Sequence, residues 1–315
     1  MAWDTYWERL IQNKKLKQKI DDLNRVDDLR KNDFTTEKIC HTIYDNYFEE
    51  WKPHLEEVKS EFLKLIDQFE EVHLQTNRIK HIDSLLVKVV NKRYEHIADY
   101  DNPYSNINGT NYKNIITDLI GMRLIINYRG KWQEIHDEIT EHFPYADMDL
   151  YKKHKLIPFE DVNRDILAEI PTVYYAAGDI IDAYKAYMMV PKQHSKGYRS
   201  IHYVVLFKGV YIEIQVRTIY DEAWSDCDHN YVYKQDENKS HTALECLSKI
   251  LCELTNISND MGDNMRDIFE EEKMVDQRDG TWKTTRECVD IFDEELNRVQ
   301  QAYGKLESFR ARLIV

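Results

Sequence analysis

Two runs of alternating apolar and polar residues, 200–207 and 210–217, meet at Lys208-Gly209. Both are rich in β-branched and aromatic side chains, so they predict two strands of a hairpin closed by a two-residue turn. Such a turn sets the register: Phe207 opposite Val210, Val204 opposite Glu213, His202 opposite Gln215 and Ser200 opposite Arg217. One face then carries Ile201, Tyr203, Val205, Phe207, Val210, Ile212, Ile214 and Val216. The other gathers Ser200, His202, Glu213, Gln215 and Arg217 beside Val204, Leu206 and Tyr211. Any antiparallel sheet with one solvated face alternates in this way, so residues elsewhere must decide whether the polar face is a site.

The remaining pattern is mostly helical. Residues from about 3 to 75 show heptad-like apolar spacing amid dense charge, as in Trp51, Leu55, Val58, Phe62, Leu65, Ile66 and Phe69. A second helical pattern covers 78–94, followed by a polar loop at 101–111. The compact apolar stretch from Leu119 to Tyr128 predicts a strand. Helices are expected at 131–142 and about 160–187, and again from about 219 to 315, where Leu244, Leu247, Ile250, Leu251 and Leu254 form a stripe. A small mixed sheet flanked by helices, an α+β architecture, accounts for this order.

At 315 residues the chain can bury one large core, or one core with helical attachments. No repeat and no Gly/Ser- or Pro-rich linker divides it. Its apolar runs are too short to span a bilayer and its N-terminus is amphipathic, so no membrane association is expected. Five cysteines (Cys40, Cys227, Cys246, Cys252, Cys288) lack metal-ligand spacing. Cys246 and Cys252 are expected to be buried thiols, and a reducing cytoplasm is the simplest setting. A formal charge of −14 argues against broad nucleic-acid binding but leaves room for a local basic pocket.

Such a pocket has candidates. On a helix, Lys80, Ser84 and Lys88 fall in one i, i+4, i+8 stripe opposite Ile79, Ile82, Leu85, Leu86, Val89 and Val90. Two ammonium groups with a hydroxyl between them suit a polyphosphate. Asp118, at the entry to the Leu119 strand, is a candidate Mg²⁺ ligand, with Arg123 projecting nearby. Each signal alone is weak: lysine stripes are usually solvated, and an Asp often precedes a strand in a turn. Together they supply a cationic rail, a carboxylate pair (Asp118 with Glu213) and a polar floor of Tyr198, His202 and Gln215, a set suited to phosphoryl-type transfer.

The spacing Arg78-x-Lys80-x-x-x-Ser84-x-x-x-Lys88, Asp118-Leu-Ile-Gly-x-Arg123, Gly197-Tyr198-Arg199-Ser200-x-His202 and Glu213-x-Gln215-x-Arg217-Thr218 resembles the RelA/SpoT alarmone synthetase family. Trp224, Asp228-His229 and Tyr233-Lys234 extend the match, which runs over about residues 55–235. The resemblance implies a nucleotidyltransferase-like fold with a synthetase domain at 55–236, an N-terminal helical extension at 1–54 and a C-terminal helical region at 237–315. It implies transfer of the β,γ-pyrophosphate of ATP to a ribose 3′-hydroxyl, usually of GDP or GTP, with Mg²⁺. By the same resemblance Arg78 and Arg123 would sandwich the adenine, and Lys80, Ser84 and Lys88 would hold the ATP phosphates. Asp118 and Glu213 would bind the metal, Glu213 also serving as base. Tyr198 would stack on the acceptor base, with His202, Gln215 and Lys196 lining the acceptor site and Arg217 bracing the sheet.

Two departures fall on the acceptor side. His194-Ser195-Lys196 stands where the family often has Lys-Pro-Asn: either Pro191-Lys192 is that Pro-Lys displaced by an insertion, or the acceptor loop itself differs. Glu222 stands where the family often has Asn or Asp. His136-Asp137, similar to the family's hydrolase motif but inside the synthetase region, is assigned to a solvated helix face, and no hydrolase activity is expected. Three readings follow: a small alarmone synthetase acting on a purine nucleotide; a toxic relative that pyrophosphorylates the 3′ end of tRNA, permitted by Lys152-Lys153-His154-Lys155; and a degenerate nucleotide-binding sensor. The terminal helices are open to a homo-oligomer interface or a regulatory partner.

Overall fold

The computed structural model describes residues 3–29, 35–99, 101–233, 242–279 and 296–305. Lys234, Cys288 and the expected boundary at 236/237 lie outside them. Four helices open the chain: α1 (Trp3–Leu10), α2 (Lys14–Leu29), α3 (Thr36–Asn46) and α4 (Lys52–Ile66), the last two joined by a π-helical turn at Tyr47–Trp51. Their apolar stripes point inward, with Leu55 and Phe62 fully buried, while Lys14, Lys15 and Lys17 are exposed.

Strand β1 (Leu74–Ile79) leads directly into α5 (Ile82–Glu95), then β2 (Ile120–Ile126) and α6 (Trp132–His142). This corrects the expected helix over 78–94. Arg78 lies on β1, and the Lys80 amide extends the sheet by donating to Leu119 O at 2.8 Å. The helix begins only after His81, whose Nδ1 caps it by accepting from the Asp83 amide. Leu74-Gln-Thr-Asn-Arg-Ile79 is an edge strand with no apolar alternation, so periodicity does not reveal it.

The expected helix over about 160–187 is also corrected. After α7 (Met148–Lys153), that stretch holds only short helices, α8 (Phe159–Val162) and α9 (Asp182–Ala186), around β3 (Ile166–Leu167) and β4 (Thr172–Tyr175). A further strand, β5 (Val190–Gln193), follows. Thr172-Val-Tyr-Tyr175 has the β-branched and aromatic content of a strand, and Pro191 is tolerated because β5 is an edge.

The hairpin forms as expected: β6 (Ser200–Phe207) and β7 (Val210–Thr218) pair Phe207 with Val210, Val204 with Glu213 and His202 with Gln215. Lys208 and Gly209 both have positive φ, 50° and 78°, as a type I′ turn requires. Lys208, an unusual residue there, is held by its amide donating to Asp165 Oδ1 at 2.8 Å and by an ion pair with Glu61. The ladder ends at Ile201–Val216, one step short of the expected Ser200–Arg217 pair, and on the other edge of β6 Ser200 pairs with Tyr174 of β4.

Seven strands form one mixed sheet in the order β1-β2-β7-β6-β4-β5, with β3 on the remaining length of β6. The β2–β7 and β4–β5 pairs are parallel and the others antiparallel. The apolar hairpin face joins a single core running from Tyr6 through Phe62, Leu85 and Ile139 to Val216. Val204, Leu206 and Tyr211, on the other face, make a smaller cluster with Ile157 and Ile166. Helices α10 (Ile219–Asp228) and α11 (Thr242–Asp279) close the C-terminal side. The α11 stripe is only partly covered: Leu247 and Leu254 stay exposed, and Cys246 is half-buried where a buried thiol was expected, while Cys252 is buried. No described helix is long and apolar enough to cross a membrane.

Candidate active site

Sheet register assembles the polar face. Arg78, Gly121, Glu213 and Val204 lie side by side across β1, β2, β7 and β6. The next row is Thr76, Arg123, Gln215, His202 and Thr172. Paired residues project to the same side, so the sheet aims Arg78, Arg123, Glu213 and Gln215 into one cleft of about 160 Å³. Gly121 forms its floor: a Cβ there would meet Arg78 Nε at 3.5 Å, so its absence leaves the space between Arg78 and Glu213 open.

Beside the cleft, Asp118 is buried between two lysines, 2.7 Å from Lys80 Nζ and 2.9 Å from Lys88 Nζ. Burial opposes its ionisation, but Lys88 and Lys80 outweigh that and hold the carboxyl below its usual range. The two lysines therefore converge, though not as successive positions on one helix: Lys80 comes from the strand–helix junction and Lys88 from α5. Tyr47 fixes that junction by donating its hydroxyl hydrogen to Lys80 O at 2.8 Å. Ser84, expected between the lysines, is exposed in the first turn of α5 and lines a shallow depression with Lys88.

Glu213 behaves oppositely to Asp118. Burial first, and the nearby Asp118 carboxylate second, raise its pKa above the usual carboxylate value. Its Oε2 accepts from Gln215 Nε2 at 2.9 Å, and its Oε1 lies 3.8 Å from His202 Nδ1. Burial, with Arg217 and Lys192 adding to it, pushes the His202 pKa down to about 3, so the ring is neutral. The Tyr198 hydroxyl accepts from Arg217 Nη2 at 2.8 Å, leaving its proton for His202 Nε2 at 2.9 Å. Those partners favour the tautomer with hydrogen on Nδ1, facing Glu213.

Tyr198 stands at the end of the 194–199 loop, edge-on to Tyr174 at 5.6 Å between ring centroids. Lys196 is exposed on that loop, and Lys192, on β5, lies 5.3 Å from the Tyr174 ring centroid. Arg217 is 4 % exposed and lies beneath the Tyr198 ring, 5.2 Å from its centroid. A larger cavity of about 540 Å³ opens where β4, β6 and β7 meet α11; it shares Tyr174 and Arg217 with this platform.

Three features escaped the sequence reading. Glu169 is half-buried, its carboxyl raised by burial and felt by Glu213 and Lys88. It follows the two-residue strand β3, which no periodicity marks. Tyr174 belongs to a strand read as helix. Glu222 contacts both Arg123 and Arg217, at 2.7 and 2.9 Å. Two other residues are structural: Trp224 donates to Ser248 O at 2.9 Å and Asp228 accepts from Ser248, fastening α11. The His136-Asp137 assignment is corrected in half. Asp137 is exposed, but His136 is 3 % exposed, packed against Tyr203, its charge suppressed by burial.

The donor chemistry fits a hard divalent cation. Among the described residues no group of three or more His, Cys, Asp or Glu side chains converges. Two neighbouring carboxylates, Asp118 and Glu213, are what Mg²⁺ takes from protein when phosphate oxygens and water complete its shell.

The family model described as a region found in RelA/SpoT proteins matches residues 77–238, just over half the chain. Solved structures similar to this chain include a GTP pyrophosphokinase family protein from Streptococcus pneumoniae, 15% identical over 74% of this chain and 97% of that one, with a TM-score of 0.45. Small alarmone synthetase 1 from Bacillus subtilis is 17% identical over 72% of this chain and 99% of its own, with a TM-score of 0.46. The same enzyme bound to AMPCPP gives 17%, 73% and 95%, and 0.41. No curated protein sequence matches. The chain belongs to the RelA/SpoT family of ATP-dependent pyrophosphokinases.

Proposed function

We propose that this protein transfers the β,γ-pyrophosphate of ATP to the 3′-hydroxyl of a purine nucleotide, GDP or GTP in the first instance, making an alarmone. The observation that carries this reading is the position of Glu213. It stands in register between the Arg78–Arg123 cleft and the Tyr198–His202 platform, with Lys80, Lys88 and Asp118 alongside.

In this reading the adenine lies between Arg78 and Arg123, whose planar guanidinium groups suit stacking. Lys80 and Lys88 turn from Asp118 to the phosphates. Asp118 and Glu213 would hold Mg²⁺, which when bound neutralises phosphate charge. The acceptor base stacks on Tyr198, and Gln215 and His202 orient the Glu213 carboxylate. Glu213 takes the 3′-hydroxyl proton as the acceptor oxygen attacks the β-phosphorus. The new O–P bond forms while the bond from that phosphorus to the α,β-bridging oxygen breaks, and AMP leaves. Burial and the Asp118 charge raise the Glu213 pKa, which makes it a stronger base than an ordinary carboxylate.

The tRNA reading drew on residues 152–155, but Lys152 faces Asp149 at 2.8 Å, and Lys153 and His154 share Asp161. These exposed pairs offset only part of that cluster's charge, and the formal charge of −14 weighs further against a phosphate backbone. The test is an incubation with γ-labelled ATP, Mg²⁺ and, in separate tubes, GDP, GTP, AMP and deacylated tRNA. Label on a purine nucleotide is expected; label on tRNA alone would replace the acceptor, and no transfer to any of the four would overturn the reading.

A further inference from the structure

Glu222 is the residue whose surroundings ask most for a role. It projects from α10, a turn beyond the last sheet strand, and each of its oxygens meets a different arginine. Oε1 lies 2.7 Å from Arg123 Nη1, and Oε2 lies 2.9 Å from Arg217 Nη1. Arg123 borders the donor cleft and is braced by Asp226 at 3.5 Å. Arg217 continues the chain: its Nη2 donates to Tyr198 and to Gln215, and these in turn reach His202 and Glu213.

A guanidinium hydrogen-bonds through its edge and stacks through its face. A carboxylate on the edge of Arg123 therefore fixes the plane of that group and leaves its face open to a nucleobase. The same carboxylate neutralises Arg217, whose charge is 4 % exposed and would be costly to leave uncompensated. Glu222 is thus the link between the two halves of the cleft. Position 222 is also where the residue is one methylene longer than the Asn or Asp at the corresponding place in the pattern. The extra reach lets one side chain span both arginines.

We propose that Glu222 is a positioning residue that couples the two nucleotide sites: it sets the plane of Arg123 for the donor and, through Arg217, the placement of Tyr198, Gln215 and Glu213 for the acceptor. This rests on the proposed assignment of donor and acceptor sides. Binding of one nucleotide favours the bridged arrangement of the shared carboxylate and so prepares the site for the other. Linkage then requires that the acceptor tighten the donor by the factor with which the donor tightens the acceptor.

The test is calorimetric titration of the full chain with the α,β-methylene analogue of ATP, alone and with GDP (or whichever acceptor takes label), beside steady-state kinetics. In the parent protein the acceptor should tighten the analogue by at least about fivefold. Glu222→Gln should reduce that factor to within twofold, lower kcat by about 10- to 100-fold and raise the KM for ATP. Glu222→Asp, which keeps the charge but not the reach, should fall between. If Glu222→Gln does not fold, Arg123→Lys must remove the coupling by itself, because an ammonium lacks the planar edge. Parent-like coupling and kcat in Glu222→Gln, or retained coupling in a folded Arg123→Lys, would overturn the proposal. So would a parent that binds the analogue with no acceptor effect. A parent that does not bind the analogue at all refutes the functional reading itself.

Discussion

Glu213 and Asp118 are neighbouring carboxylates with opposite electrostatics, and that contrast yields the first predictions. Asp118 is held ionised by Lys88 and Lys80, whereas burial and the Asp118 charge make Glu213 reluctant to ionise. In its proposed role as general base Glu213 must be deprotonated, and its folded-state pKa is raised. Activity should therefore be full above that pKa and fall as pH drops through it, at a higher pH than an ordinary carboxylate gives. A kcat/KM profile measured from pH 4 to 8 checks this; an acid limb at or below the pKa of an ordinary glutamate would contradict it. Glu213→Gln should cut turnover by about 10²- to 10⁴-fold while the ATP analogue still binds, measured by kinetics beside calorimetry. Lys80, Lys88, Asp118, Glu213 and Tyr198, which the sheet gathers, were legible through the joint spacing of their motifs, since each residue type is common in the chain. Glu222 was legible only as a departure from a pattern. Its partners Arg123 and Arg217 lie on two different strands, and no spacing joins them to it.

At the scale of elements, the hairpin register followed from Lys208-Gly209 because a two-residue turn leaves no slack. Other strands gave less away. β1 and β5 are edges with mixed polarity, and β4 is an aromatic run short enough to pass for part of a helix. The 194–199 loop carries its own constraint: Gly197 has φ +84°, and a Cβ there would lie 2.6 Å from Cys252 Sγ. Gly197→Ala should cost about 1–2 kcal/mol for its backbone conformation alone and shift Tyr198, raising the acceptor KM more than the ATP KM. Adding Cys252→Ala should relieve the contact and recover part of the loss, leaving the backbone cost. Chemical denaturation and the two KM values check this; equal effects on both KM values would count against a loop that serves the acceptor.

Across the whole molecule, the N-terminal helices are part of what holds the site. Tyr47 grips the Lys80 carbonyl, and Asp27 of α2 pairs with Arg93 of α5 at 2.9 Å, both residues 3 % exposed. Asp27→Ala strands a buried guanidinium and should cost about 3–5 kcal/mol by denaturant titration, far more than a surface ion pair would. Helical periodicity foretold that these segments pack; it did not foretell that their core would be continuous with the sheet, because partners distant in sequence leave no mark on a local pattern. α11 likewise reaches the 194–199 loop through Cys252, 3.5 Å from Gly197 O. The central claim concerns which phosphorus is attacked, and product stoichiometry tests it most directly. With ATP, Mg²⁺ and the preferred acceptor, attack at the β-phosphorus releases one AMP for each 3′-pyrophosphorylated product, followed by chromatography. Formation of ADP with a singly phosphorylated acceptor would contradict it.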